Sequence, residues 1–94
     1  MIERALQIEG KRVAVAGLGV AGFAACDALI EMGAQVAVFD AGDSAKAREY
    51  GQVLEILGAK VFLNYQNQLP KEFDLLVVSP GLPPSHSWIT TAQQ

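Results

Sequence analysis

The chain has 94 residues, 51% of them hydrophobic, with ten acidic side chains against seven basic ones and a net charge of −3. That length allows one small domain with a modest core, and the acidic balance with scattered lysines and arginines excludes a nucleic-acid surface. No apolar stretch approaches the roughly 20 residues of a membrane helix, so no membrane partner is expected, and a single cysteine, Cys26, excludes an internal disulfide and a Cys-x-x-Cys metal pair and fits a reducing, cytoplasmic setting.

The first residues, MIERALQIEGKR, carry Glu3, Arg4 and Glu9 among apolar ones and lack the uninterrupted apolar centre of a secretory signal. Lys11 and Arg12 lead into VAVA, a short apolar run ending at Gly17, which reads as a strand covered on both faces. Residues 21–32, AGFAACDALIEM, read as a helix with Asp27 and Glu31 on one face and with Gly33 as its stop. Within it Cys26 reads as a small buried side chain. Residues 34–40, AQVAVFD, are a second strand. A second helix is expected from Ala45 to Leu57, capped by Asp43 or Ser44, weakened by Gly51 and closed by Gly58.

Residues 59–63, AKVFL, read as a third strand, and NYQNQLPKEF as a polar connection broken by Pro70. Residues 74–79, DLLVVS, are a fourth strand, with Leu75 to Val78 expected to be buried on both faces. PGLPPSHS is a loop, and WITTAQQ begins another helix. Alternating strands and helices imply parallel strands and right-handed crossovers. The expected fold is a Rossmann-like, three-layer αβα arrangement around a mainly parallel four-stranded sheet in the order 3-2-1-4. The last helix would lead into a fifth strand, so the sequence reads as a piece of a longer protein. The open edge of strand four then invites pairing with a second copy.

Gly17, Gly19 and Gly22 spell G-L-G-V-A-G, set between a strand and a helix, with Asp40 ending the next strand 18 residues later. The first glycine allows the tight turn, the second admits a phosphate to the backbone, and the third lets helix and strand pack closely. The helix then aims unpaired N–H groups and a partial positive charge at a diphosphate. Asp40 can accept hydrogen bonds from a ribose hydroxyl or a base N–H. Ser79 and Gly81 follow strand four, across the crevice from the glycine turn. His86 is the only histidine and has no partner for acid–base chemistry. No Ser-His-Asp set, metal cluster or GKS/GKT phosphate loop is present, so no catalytic residue and no metal site is expected.

On the residues alone, the commonest ligand of such a turn is a nicotinamide or flavin dinucleotide. Two readings of that kind stay open: an NAD-binding domain of a dehydrogenase and a non-catalytic nucleotide-sensing domain of a transport regulator. GKRVAVAGLGVAGFAACDALIEMGAQVAVFD followed by DLLVVSPGLPP, however, resembles the start of the Mur ligases, and among them those that add D-glutamate to UDP-N-acetylmuramoyl-L-alanine. The resemblance runs from about Gly10 to the end and rests on the G-L-G-x-x-G turn joined to an S-P-G-x-P strand end. It implies an N-terminal domain, here residues 1–94, that binds the UDP part of the substrate.

Further domains would handle ATP, Mg²⁺ and the incoming amino acid in a cytoplasmic step of peptidoglycan synthesis. No cofactor is implied for this segment itself, and its partners are the UDP-linked substrate and the remaining domains. Carried over by position, the resemblance implies that the backbone of Gly19, Val20 and Ala21 meets the diphosphate, with Gly17 in the same UDP site. Asp40 and the backbone of Ala41 would meet the uracil, and Ser79 and Gly81 would line the passage of the sugar. Some relatives have a hydroxyl residue where Ala21 stands, so one possible phosphate hydrogen bond is expected to be missing here. Others have Thr and Arg where Ala41 and Gly42 stand, so the grip on uracil is expected to be weaker or differently made.

Overall fold

The computed structural model of the chain describes residues 8–78. Six elements follow in order: β1 (Arg12–Ala16), α1 (Val20–Glu31), β2 (Gln35–Phe39), α2 (Ala45–Ile56), β3 (Lys60–Phe62) and β4 (Leu75–Val78). The strands form one parallel sheet in the order β3-β2-β1-β4, the order expected from the sequence. Ser79, Gly81 and the expected final helix lie outside the described residues.

The helix ends obey local chemistry. Ser44 caps α2 by accepting a hydrogen bond from the Ala47 N–H at 3.1 Å. Both helices close in a Schellman turn: Gly33 and Ala34 donate to Ile30 and Leu29, and Gly58 and Ala59 donate to Glu55 and Leu54. Gly51, a poor helix former, has a packing reason. A Cβ there would stand 3.0 Å from Val61 Cγ1, so its absence lets α2 lie close on β3.

Strand residues alternate between two unlike faces. Val13, Val15, Val36 and Val38 point to the helical side and pack with Leu18, Cys26 and Leu54. Phe23 of α1 stacks on Tyr50 of α2 at 4.7 Å between ring centroids, joining the helices over that face. Two successive right-handed crossovers running the same way along the sheet put both helices on one side.

Ala14, Ala16, Ala37 and Phe39 point the other way and are covered by Tyr65, Leu69 and Phe73 of the connection 63–74. Among the described residues, the second outer layer is therefore this loop. Its small alanines on the strands leave room for a ring cluster in which Phe39 meets Phe62 and Tyr65 at 4.9 Å each and Phe73 at 5.9 Å.

β4 departs from the sequence expectation of burial on both faces. Leu75 and Val78 are 43% and 37% exposed, and Leu76 and Val77 are half-buried. The cause is position: among the described residues β4 pairs only with β1 and forms the sheet edge.

Candidate functional site

The candidate site is the turn between β1 and α1. Gly17 leaves the strand at φ +97, a left-handed conformation that glycine adopts without a Cβ clash. Its N–H donates to the Phe39 carbonyl at 2.7 Å, tying the turn to the end of β2. Leu18 buries its side chain in the core, which anchors the turn from below.

Gly22 lies one helical turn on. A Cβ at this residue would overlap the carbonyl oxygen of Gly17, so α1 can approach β1 this closely only with glycine there. Gly19 differs from both. Its backbone is extended, at φ −107 and ψ −158, and a Cβ would have nothing within 4 Å. Neither backbone conformation nor packing within the described residues requires glycine at 19.

Gly19 is also the N-cap of α1 and offers no side-chain oxygen to the helix. Phe23 makes the first intrahelical bond, back to the Gly19 carbonyl at 2.9 Å. The N–H groups of Gly19, Val20, Ala21 and Gly22 find no partner among the described residues. Gly19, Val20 and Ala21 are exposed, so these donors face outward with the positive end of the helix dipole. An anionic group with several acceptor oxygens is the ligand such an arrangement can hold.

Asp40 stands beside this turn, half-buried, with its carboxylate turned toward it. Oδ2 accepts the Leu18 N–H at 2.7 Å and Oδ1 accepts the Gly42 N–H at 2.8 Å. The loop that carries it is held firmly. The Asp40 N–H donates to Phe62, and the carbonyls of Asp40 and Gly42 accept from Tyr65 and Asn64. The Ala41 carbonyl accepts from Gln66 Nε2 at 2.7 Å. The Ala41 N–H has no partner among the described residues and remains a donor beside Asp40.

The glycine turn and Asp40 thus meet at the carboxyl ends of β1 and β2. β4 ends at Val78 in register with Ala16, which puts the β1–β4 switch point beside the turn. Ser79 and Gly81, expected to line the same crevice, lie outside the described residues. The bracing by residues 64–66 escaped the sequence reading, which took this stretch as a plain connection. Asn64, with φ +52, is the one signal there, since asparagine tolerates the left-handed conformation.

Other groups lie apart from this chemistry. Cys26 is fully buried, and loss of water around it pushes its thiol up to about 12, which keeps it protonated and unreactive. No cluster of three or more His, Cys, Asp or Glu suited to a metal occurs among the described residues. No helix among them is long and apolar enough to cross a membrane. A cavity of about 470 Å³ lies on the loop-covered face, lined by Arg12, Gln35, Lys60, Phe62 and Phe73 among others. Its lining takes in Arg12, Gln35 and Lys60 at the amino ends of β1, β2 and β3 and none of Gly17, Gly19 or Gly22.

Comparison with known proteins places the chain in a family. The sequence model for "Mur ligase MurD-like, N-terminal domain" matches residues 11–94. A protein of Streptomyces coelicolor named UDP-N-acetylmuramoylalanine--D-glutamate ligase is 42% identical over 88 residues, which are 94% of this chain and 19% of that protein. The protein of the same name from Frankia casuarinae is 45% identical over 83 residues, 88% of this chain and 18% of its own length. The chain therefore spans about a fifth of the length of these relatives.

Among solved structures, the ligand-free 5-ketofructose reductase of a Gluconobacter strain superposes with a TM-score of 0.60 at 24% identity, over 81% of this chain and 30% of that one. The Cu(II) complex of the flavoprotein disulfide reductase RclA from Escherichia coli gives 0.60 at 15% identity, over 87% and 24%. At those identities they attest the fold alone. The family match across the glycine turn, Asp40 and β4 is of another order, and by it the chain belongs to the Mur ligases, as a MurD-like N-terminal domain.

Proposed function

We propose that this domain holds the UDP part of UDP-N-acetylmuramoyl-L-alanine for a ligase that adds D-glutamate in peptidoglycan synthesis. The observation that carries the reading is the contrast among the three glycines. Gly17 and Gly22 have reasons inside the fold, whereas Gly19 opens an uncapped set of N–H donors to solvent. A diphosphate matches those donors without needing a lysine.

Asp40 and the Ala41 N–H offer an acceptor and a donor beside them, the pair a uracil edge requires. Ser79 and Gly81 would then line the path of the sugar. ATP and Mg²⁺ belong to the ligation step, in which the substrate carboxylate is activated and the amine of D-glutamate attacks it. The chain spans about a fifth of the length of its ligase relatives, and in this reading the other domains of the enzyme are its partners in that step. The nucleotide-linked substrate makes this a cytoplasmic step.

The test is a thermal-shift comparison of UDP-N-acetylmuramoyl-L-alanine, UDP and NAD. A ligand at about 100 times its dissociation constant adds roughly 2.7 kcal/mol of stability. Stabilisation by both uridine compounds and not by NAD is expected. Stabilisation by NAD alone would return the domain to the dehydrogenase reading.

A further inference from the structure

We propose that Asp40 is a positioning residue for the diphosphate as well as a contact for the nucleoside, so that one carboxylate couples the two halves of the ligand site. The inference rests on the UDP reading above and deepens it. Two main-chain N–H groups converge on this side chain, Leu18 on Oδ2 at 2.7 Å and Gly42 on Oδ1 at 2.8 Å. A carboxylate side chain accepts at both oxygens, whereas an asparagine would turn an NH₂ toward one of the two donors.

The Leu18 N–H lies between Gly17 and Gly19, inside the turn that aims the open amides of Val20 and Ala21. Two bonds fix that turn to the end of β2: the Gly17 N–H to Phe39 and the Leu18 N–H to Asp40. Asp40 is itself fixed, because its own N–H and carbonyl are tied to Phe62 and Tyr65. Each carboxylate oxygen keeps a second lone pair, so holding the turn leaves capacity to accept from a nucleoside.

Charge alone argues the opposite sign. A carboxylate near a diphosphate repels it, and removing the charge should tighten phosphate binding. Positioning makes the contrary prediction, which separates the two accounts. The experiment measures dissociation constants of UDP, uridine and inorganic pyrophosphate for the chain and for Asp40→Asn. Thermal unfolding of both proteins runs alongside, with the Leu18 amide resonance followed by ¹H–¹⁵N NMR.

The expected result is weaker binding of pyrophosphate as well as UDP in Asp40→Asn, by about tenfold or more, as for lost charge-assisted hydrogen bonds. The Leu18 amide should move while resonances of the buried β2 strand stay. Pyrophosphate binding unchanged or tightened, with UDP and uridine weakened, overturns the positioning role and leaves the UDP reading intact. Absence of UDP and pyrophosphate binding by the unsubstituted chain overturns the UDP reading and this inference with it. Should Asp40→Asn not fold, hydrogen exchange of the unsubstituted chain decides: a protected Leu18 amide supports the inference, and an amide exchanging at the open-chain rate overturns it.

Discussion

Gly22 packs so tightly against Gly17 that a Cβ on the first would overlap the carbonyl oxygen of the second. No rotamer change relieves a clash with backbone, so either α1 or the turn must shift. Gly22→Ala is expected to lower stability by about 1–3 kcal/mol, the usual range for overpacking, even though alanine is the better helix former. Denaturant unfolding at constant m-value measures it.

Gly19 carries the reverse expectation. With open space where its Cβ would stand, Gly19→Val should fold and lose about 1 kcal/mol or less, the scale of a poorer N-cap. Its methyl groups would stand among the open amides, so stabilisation by UDP should vanish. A thermal-shift titration against the unsubstituted chain reads both quantities.

Cys26 should be inert in the native protein. Its burial raises the thiol to about 12 from an ordinary 9.0, so the reactive thiolate is scarce at neutral pH. Iodoacetamide at about pH 8 should label Cys26 only after denaturant unfolds the chain. Mass spectrometry with and without denaturant checks this. The sign for stability follows: the raised value favours folding below the ordinary thiol range and that contribution is lost as pH rises toward 12.

Asp74 pins the start of β4. Its carboxylate accepts the Arg12 N–H at 2.8 Å, and the Arg12 guanidinium lies 3.6 Å away. The backbone hydrogen bond foremost, with the charge of Arg12 adding to it, holds the carboxyl below its ordinary 3.8. A lowered value stabilises the fold above the ordinary carboxylate range and loses that contribution as pH falls through the native value. The stability gap between the chain and Asp74→Asn should therefore close as pH falls through the ordinary carboxylate value and on through the lower native one, and the charge component should shrink with added salt. Urea midpoints across that range test it.

The sheet order and the duties of Gly17 and Gly22 were legible because each follows from a local rule. Apolar runs punctuated by glycine fix strands and helices, and a glycine pattern between them fixes the turn. What Asp40 does was half legible. Its place at the end of β2 follows from the sequence, but two backbone donors converging on one carboxylate is a tertiary fact without a sequence period.

The open edge of β4 was legible, but burial of its two faces was not: four apolar residues in a row announce a strand and say nothing of what packs above and below it. The cover over the loop-side face was missed because Tyr65, Leu69 and Phe73 sit four apart in an otherwise polar stretch. That stretch reads as a polar connection, whereas hydrogen bonds from residues 64–66 to residues 40–42 hold it against the sheet.

Titration of the ¹⁵N-labelled chain with UDP examines the binding site directly. The account predicts the largest shifts at the amides of Gly19, Val20 and Ala21 and at Asp40 and Ala41. Shifts confined to the cavity between the loop and the amino ends of the strands, or no shifts at saturating UDP, would contradict it.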